Sequence, residues 1–199
     1  MRLASTSASR FLPGETLGYC CARSAFGWMM VAASVHGLCW LGLASTKQEA
    51  VTALRAEFTH CALRENDALQ ASIAAAEAFV LHGARRSTQK IDLRGTEFQQ
   101  QVWQEIQKIP RGATWSYTEL AVALGKPKAV RAVATACGAN RVALLVPCHR
   151  VVGARGALTG YRWGIGRKRQ LLETEGARLE KATHPPTKAK KKTTRPDRS

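Results

Sequence analysis

Residues 142–146 read Val-Ala-Leu-Leu-Val and run directly into Pro147, Cys148, His149 and Arg150. Five consecutive apolar residues must be buried, and a run of this length predicts a short core strand. Pro147 ends that strand, because proline cannot donate to a sheet ladder. Any fold this chain adopts therefore delivers a thiol, an imidazole and a guanidinium at the end of a core segment. A thiol is a strong nucleophile only as thiolate, and a nearby imidazole and cationic groups favour that form. An arbitrary Cys-His pair is more often a buried structural thiol beside a surface histidine, so the surrounding sequence has to decide.

The surroundings are helical and basic. Thr96-Glu97-Phe98-Gln99 is a capping box that opens a helix to about Lys108, with Phe98, Val102, Ile106 and Ile109 on its buried face. Ser116-Tyr117-Thr118-Glu119 is a second box, opening a short helix closed by Gly125. Pro127 suits the start of the next helix, which runs to about Gly138 with Val130, Val133 and Cys137 on one face. Two short helices joined in this way form a helix-turn-helix or an ordinary helix pair, and the basic charge around them favours the former. The outer face of the second is assigned Ala132, Thr135 and Ala136, with Lys126, Lys128 and Arg131 among them. Small residues allow close approach to a surface, while the cations hold phosphates. Few base-reading side chains are offered, which predicts DNA binding with little sequence readout.

Charge supports an anionic partner. The chain carries 30 Lys and Arg against 14 Asp and Glu, a net charge of +16. Residues 1–87 hold 8 basic and 6 acidic groups (+2), residues 88–176 hold 14 and 6 (+8), and residues 177–199 hold 8 and 2 (+6). The second half is thus basic in its own right; nucleic acid is the leading partner and an anionic membrane surface the alternative. The tail, with Lys188, Lys190, Lys191, Lys192, Arg195 and Arg198, reads as a disordered basic segment.

Pro-Cys-His-Arg-Val-Val in this setting resembles the active-site signature of the O6-alkylguanine-DNA alkyltransferases, and in particular their Ada-like branch. The similarity is strong from about Arg94 to Gly176 and weaker back to about Leu17. The resemblance implies an α+β fold, with a small N-terminal β-sheet and helices followed by a mostly helical C-terminal domain that holds the helix-turn-helix and the active-site cysteine. It also implies DNA repair by direct damage reversal, with irreversible transfer of the alkyl group of O6-alkylguanine, and possible action on O4-alkylthymine. Cys148 would be the acceptor, and His149 its general base through a water. Glu175 would orient His149, and Asn140 would tie the recognition helix to the active-site strand. Tyr117 would help turn out the nucleotide and donate to the base, and Arg131 would fill the space left in the duplex. The main chain of Cys148 and Val151 would recognise the guanine edge. Tyr161 would line the pocket, with the backbone of Arg162 near O6 and Lys168 close by. Trp163, where human-type members have a small residue, would narrow the pocket against large substituents.

The chemistry fits those residue types. Attack on an alkyl carbon needs a soft anionic nucleophile, and an O6 group inside the base stack must be flipped out to be reached. The thioether product has no evident route of reversal, so each molecule should act once. No cofactor is required. The six cysteines lack metal-ligand spacing, and the positions that bind zinc in human-type members are not all Cys or His here, so no metal is expected.

The organisation expected is a disordered lead-in over 1–16, an N-terminal domain over 17–93, the alkyltransferase domain over 94–177 and the tail over 178–199. Residues 25–45 carry no charge and could by length span a membrane. The glycines and His36 favour a hairpin, with strands at 28–33 and 38–43, as the family's small sheet implies. Helices are expected from Lys47 to about Ala56, from Leu69 to Leu81 and from Arg167 to about Glu175. A monomer in the cytoplasm, with reduced thiols and no membrane attachment, completes the expectation. Three rival readings are a regulator without chemistry, a cysteine hydrolase and a membrane protein. The first predicts a reading helix rich in base-contacting side chains, the second leaves the basic charge unexplained, and the third requires detergent for solubility.

Overall fold

The computed structural model describes residues 11–83 and 89–177. A four-stranded sheet is built from β1 (Thr16–Ser24), β2 (Gly27–Ser34), β3 (Gly37–Ala44) and β4 (Ala62–Glu65), in the order β3-β2-β1-β4. The first three strands form an antiparallel meander, and β4 joins β1 in parallel after α1 (Lys47–Glu57) crosses over. The hairpin expected over 28–43 is present as β2 and β3. The register shifts at Ala32/Ala33, which leaves Cys39 as an extra residue opposite that step. This bulge puts Leu38 and Leu41 on one face although they are three residues apart. No helix among the described residues is long and apolar enough to cross a membrane.

Each face of the sheet has its own core. Met30, Ala32 and Trp40 pack on Ala50, Leu54 and Phe58 of α1 and its end. Met29, Val31, Leu41 and Leu43 face the other way, toward α2 (Gln70–His82) and the C-terminal half, in one continuous cluster. Both halves of the chain therefore share a core. Its C-terminal part contains α3 (Glu97–Ile106), β5 (Trp115–Ser116), α4 (Tyr117–Ala123), α5 (Val130–Gly138), β6 (Val151–Val152) and α6 (Ile165–Thr174). Both capping boxes form as their sequences require: Thr96 with Gln99, and Ser116 with Glu119.

Three expectations need correction. The lead-in drawn over 1–16 is too long. Residues 1–10 lie outside the described residues, but Phe11 packs edge-on against Phe58, and Glu15 pairs with the buried Arg94 at 2.8 Å. The helix placed at Pro127 starts at Val130. Residues 142–146 are buried as expected but do not form a strand. Only Val142 bridges to Leu41 of β3, and the chain then coils, with Leu144 at φ 65° and the Val146 N–H returned to Val142 O at 3.1 Å. An apolar run demands burial, but burial alone does not choose the backbone. The basic tail, residues 178–199, lies outside the described residues.

Candidate active site

The cysteine loop hangs between the sheet and α5. The Leu41 N–H donates to Arg141 O and the Ala143 N–H donates to Leu41 O, both at 2.9 Å, so β3 fixes the root of the loop. Asn140, fully buried just after α5, fixes its far end. Its Nδ2 donates to Val146 O at 2.8 Å and to Cys148 Sγ at 3.1 Å, while its Oδ1 accepts from the Val142 N–H at 2.9 Å. Cys148 to Arg150 then form one tight turn, and Val151 and Val152 pair in parallel with Trp115 and Ser116.

Cys148 is 7% exposed and His149 fully buried. Glu175, just past α6, points its carboxylate into this space. Its Oε1 lies 3.1 Å from His149 Nε2 and accepts from Arg150 Nη2 at 2.8 Å, while its Oε2 accepts from Arg150 Nε at 2.8 Å. Arg150 Nη1 also donates to Ile109 O at 2.7 Å. Burial works to raise the Glu175 pKa, but the hydrogen bonds from His149 and Arg150 outweigh it and hold the carboxyl down at about 2. An ionised carboxylate can only accept, so His149 carries its proton on Nε2. Burial also lowers the His149 pKa, which keeps the ring neutral. Its Nδ1, with a free lone pair, has no partner among the described residues.

Burial pushes the Cys148 thiol up, against the Asn140 hydrogen bond and the Lys168 charge. The resting group is therefore a thiol and not the thiolate that an adjacent histidine and arginine suggest. Lys168 is itself fully buried, and Nζ donates to Val151 O at 2.5 Å, Thr159 O at 2.8 Å and Gly160 O at 3.3 Å. Burial lowers its pKa to about 8. This ammonium stitches the cysteine loop to a glycine-rich loop, residues 153–164, that forms the opposite wall.

On that wall, the Tyr161 ring stands edge-on to both His149, at 6.5 Å, and Trp163, at 5.2 Å. The Tyr161 hydroxyl is buried and has no partner among the described residues. Tyr117, first residue of α4, donates its hydroxyl to Thr159 O at 3.4 Å, and burial raises its pKa to about 12, so it stays a donor. Arg162 turns away. Its guanidinium lies over Trp40 and pairs with Glu57.

The sequence-derived residues thus fall into two groups. Cys148, His149, Asn140, Glu175, Val151, Tyr161, Lys168 and Tyr117 converge around the thiol. Lys128, Arg131, Ala132 and Thr135 are exposed on the adjoining helix-turn-helix. Ala136 does not belong with them: it is 2% exposed, and its carbonyl accepts from Trp103 Nε1 at 2.8 Å. Helical spacing places it beside Val133 and Cys137 on the inward face. The residue that sequence reasoning missed is Arg150 as partner of Glu175. The available signal was that a buried Glu beside a neutral imidazole needs a cation. Among the described residues no cluster of His, Cys, Asp or Glu is arranged to hold a metal.

Residues 97–177 match the family model for the 6-O-methylguanine DNA methyltransferase DNA-binding domain. The chain is 43% identical over 171 residues to the bifunctional transcriptional activator/DNA repair enzyme Ada of Escherichia coli, spanning 84% of this chain and 48% of that protein. It is 57% identical over 89 residues to the methylated-DNA–protein-cysteine methyltransferase of Mycobacterium bovis, spanning 45% of this chain and 54% of that one. It spans about half the length of these two curated relatives. The crystal structure of Mycobacterium tuberculosis OGT in complex with DNA superposes with a TM-score of 0.67 at 37% identity, covering 80% of this chain and 92% of that one. Shared sequence, shared fold and a cysteine loop built on Asn140, His149 and Glu175 converge on one assignment: the chain belongs to the 6-O-methylguanine-DNA methyltransferase family.

Proposed function

We propose that this protein repairs DNA by taking the alkyl group of O6-alkylguanine onto Cys148, once per molecule. The observation that carries the reading is the directed chain Arg150–Glu175–His149, which leaves Nδ1 of a neutral imidazole as the free base beside a buried thiol. Double-stranded DNA binds along α4 and α5, where Lys126, Lys128 and Arg131 are exposed and Ala132 and Thr135 permit close approach. The damaged nucleotide is turned out of the stack, with Arg131 filling its place, and enters between Tyr161 and the cysteine loop. The low sequence readout of α5 suits a protein that must find damage in any context.

In the reaction the Cys148 proton passes to His149 Nδ1, relayed by a water. The sulfur attacks the alkyl carbon, a C–S bond forms, and the C–O6 bond breaks with its electron pair left on the guanine. The leaving base takes up one proton, matching the one Cys148 gave up, and ordinary guanine is restored, with Tyr117 as the hydrogen-bond donor to it. Glu175 holds the imidazole in the required tautomer and stabilises it when protonated. The thioether remains, so the protein is a stoichiometric acceptor. It acts as a cytoplasmic monomer on chromosomal DNA.

The test is to mix the protein with a duplex carrying one O6-methylguanine and weigh its tryptic peptides. A single methyl group on the Cys148 peptide, with uptake stopping at one per protein, is the expected result. A bound duplex with an unchanged peptide would make the chain a lesion-binding or regulatory protein instead.

A further inference from the structure

The wall of the alkyl pocket is hollow behind. Trp163, in ring contact with Tyr161, also borders a cleft of about 400 Å³ that Tyr161 does not line and that Trp40, Ala53, Glu57, Arg162 and Arg167, among others, do. A side chain backed by a packed core is held by that packing. One backed by a cleft is held by its anchors. Arg162, next in the chain, lays its guanidinium 4.9 Å over the Trp40 ring and pairs with Glu57 Oε2. Arg167 donates from Nη1 to Trp163 O at 2.9 Å and from Nη2 to Ser45 Oγ at 3.0 Å. The pocket wall is thus staked at both ends of α1.

Glu57 makes a second connection. Its Oε1 accepts from Arg141 Nε, and Arg141 Nη1 donates to Arg94 O at 3.3 Å. Arg141 follows Asn140 at the root of the cysteine loop. Burial works to raise the Glu57 pKa, but the two arginines hold it below its ordinary value, so it is ionised at neutral pH. One carboxylate, at the C-terminal end of a helix in the N-terminal layer, therefore grips both the root of the loop that carries the thiol and the lip of the wall that faces it.

We propose that Glu57 is a positioning residue that sets the width of the alkyl pocket. The proposal rests on the alkyl-transfer reading above. With Glu57 in place, Trp163 is held against Tyr161 and large O6-substituents are excluded. With the pair broken, Arg162 is released and Trp163 can retreat into the cleft behind it.

The experiment compares wild type with Glu57→Gln on two duplexes that differ only in carrying O6-methylguanine or O6-benzylguanine. The readout is the ratio of the benzyl to the methyl transfer rate, in which the common contribution of DNA binding cancels. The ratio should rise on the order of tenfold in Glu57→Gln, the scale at which a pocket discriminates by a small change of fit. Glu105→Gln removes an ion pair with Lys108 far from the wall and should leave the ratio alone. Arg162→Ala removes the other half of the pair and leaves Glu57 with Arg141, so it should raise the ratio likewise. This second reading stands even if Glu57→Gln folds poorly. A ratio within about twofold of wild type in the folded variants overturns the proposal. If wild type fails to methylate Cys148 at all, the alkyl-transfer reading is what has failed.

Discussion

Glu175→Gln should be among the most damaging single substitutions in the protein. The carboxylate is 3% exposed and takes two hydrogen bonds from Arg150 and one from His149. Two independent routes give the magnitude. Removing one partner of a buried ion pair leaves an uncompensated charge, here on Arg150, which costs roughly 3–5 kcal/mol. A carboxyl held at about 2 in the folded protein, against an ordinary 4.5, contributes about 3 kcal/mol at neutral pH by linkage. The sign follows from the direction of the shift. The folded state binds the proton less readily than the unfolded chain, so the stabilisation is complete above about pH 5 and is lost as the pH falls toward 2. Urea unfolding at pH 7 should show Glu175→Gln destabilised by about 3 kcal/mol. The gap between variant and wild type should close as both are taken toward pH 2. His149 adds an earlier loss: its pKa is lowered by burial, so protonation of the unfolded chain destabilises the fold as the pH drops below about 6.5. At neutral pH the surviving folded variant should transfer methyl groups more slowly, on the order of a hundredfold, because the imidazole loses its fixed tautomer. A variant within 1 kcal/mol of wild type at pH 7, or a stability gap indifferent to acid, would refute the assignment of Glu175 as the ionised centre of the site.

Three further outcomes are expected. Asn140→Ala leaves the buried Val142 amide without its partner and takes one of two donors from the Val146 carbonyl, which keeps the Cys148 N–H; the orphaned amide should cost about 2 kcal/mol in urea unfolding, and loss of the amide donor to sulfur should move the pH dependence of transfer upward. Trp163→Gly should raise reactivity with O6-benzylguanine on the order of tenfold or more, measured by loss of active protein after incubation with the free base; an unchanged rate would remove Trp163 from the pocket wall. Arg131→Ala takes away an exposed cation on α5 and should slow repair of a duplex on the order of tenfold, the scale of one stacking contact, while reaction with free O6-benzylguanine stays as in wild type.

The features legible in the sequence are the local ones. Both capping boxes, the hairpin turn at residues 34–37 and the end of α6 depend on residues within four positions of one another. They form as their chemistry demands. The features that were not legible depend on distance along the chain. Glu175 meets Arg150 across 25 residues, and Glu57 meets Arg141 and Arg162 across 84 and 105; no periodicity reports such pairs. Strand β1 was hidden for another reason. Thr-Leu-Gly-Tyr-Cys-Cys-Ala-Arg-Ser shows no clean alternation, because both of its faces are covered, by α1 and by α2. Residues 142–146 show the reverse failure. Their burial was evident, but Leu144 adopts a left-handed backbone that no leucine advertises, and what holds it is Asn140 bonding to both sides of the turn.

That coil has a consequence for the chemistry. A strand ending at Pro147 would leave Cys148 at a sheet edge, open to solvent. The coil instead draws the sulfur in until it is 7% exposed and bonded by Asn140, where burial keeps it protonated. An unreactive resting thiol is a disadvantage for an enzyme that turns over, which needs its nucleophile ready at each cycle. The balance differs for an acceptor consumed by its own reaction, as proposed above. An encounter with a stray electrophile, or oxidation past the sulfenic acid, would remove one molecule for good, and the thiolate is the form at risk. Here the base that could create it, His149, is neutral and aimed by Glu175, so the proton can leave when a substrate fills the space between Tyr161 and the loop. The same burial that raises the thiol also strengthens the charge-assisted bonds of the Arg150–Glu175–His149 chain. Protection and activation are therefore two effects of one packing arrangement. It is built from a loop that the sequence marks by composition and a carboxylate that it marks only by its unfavourable place at a helix end.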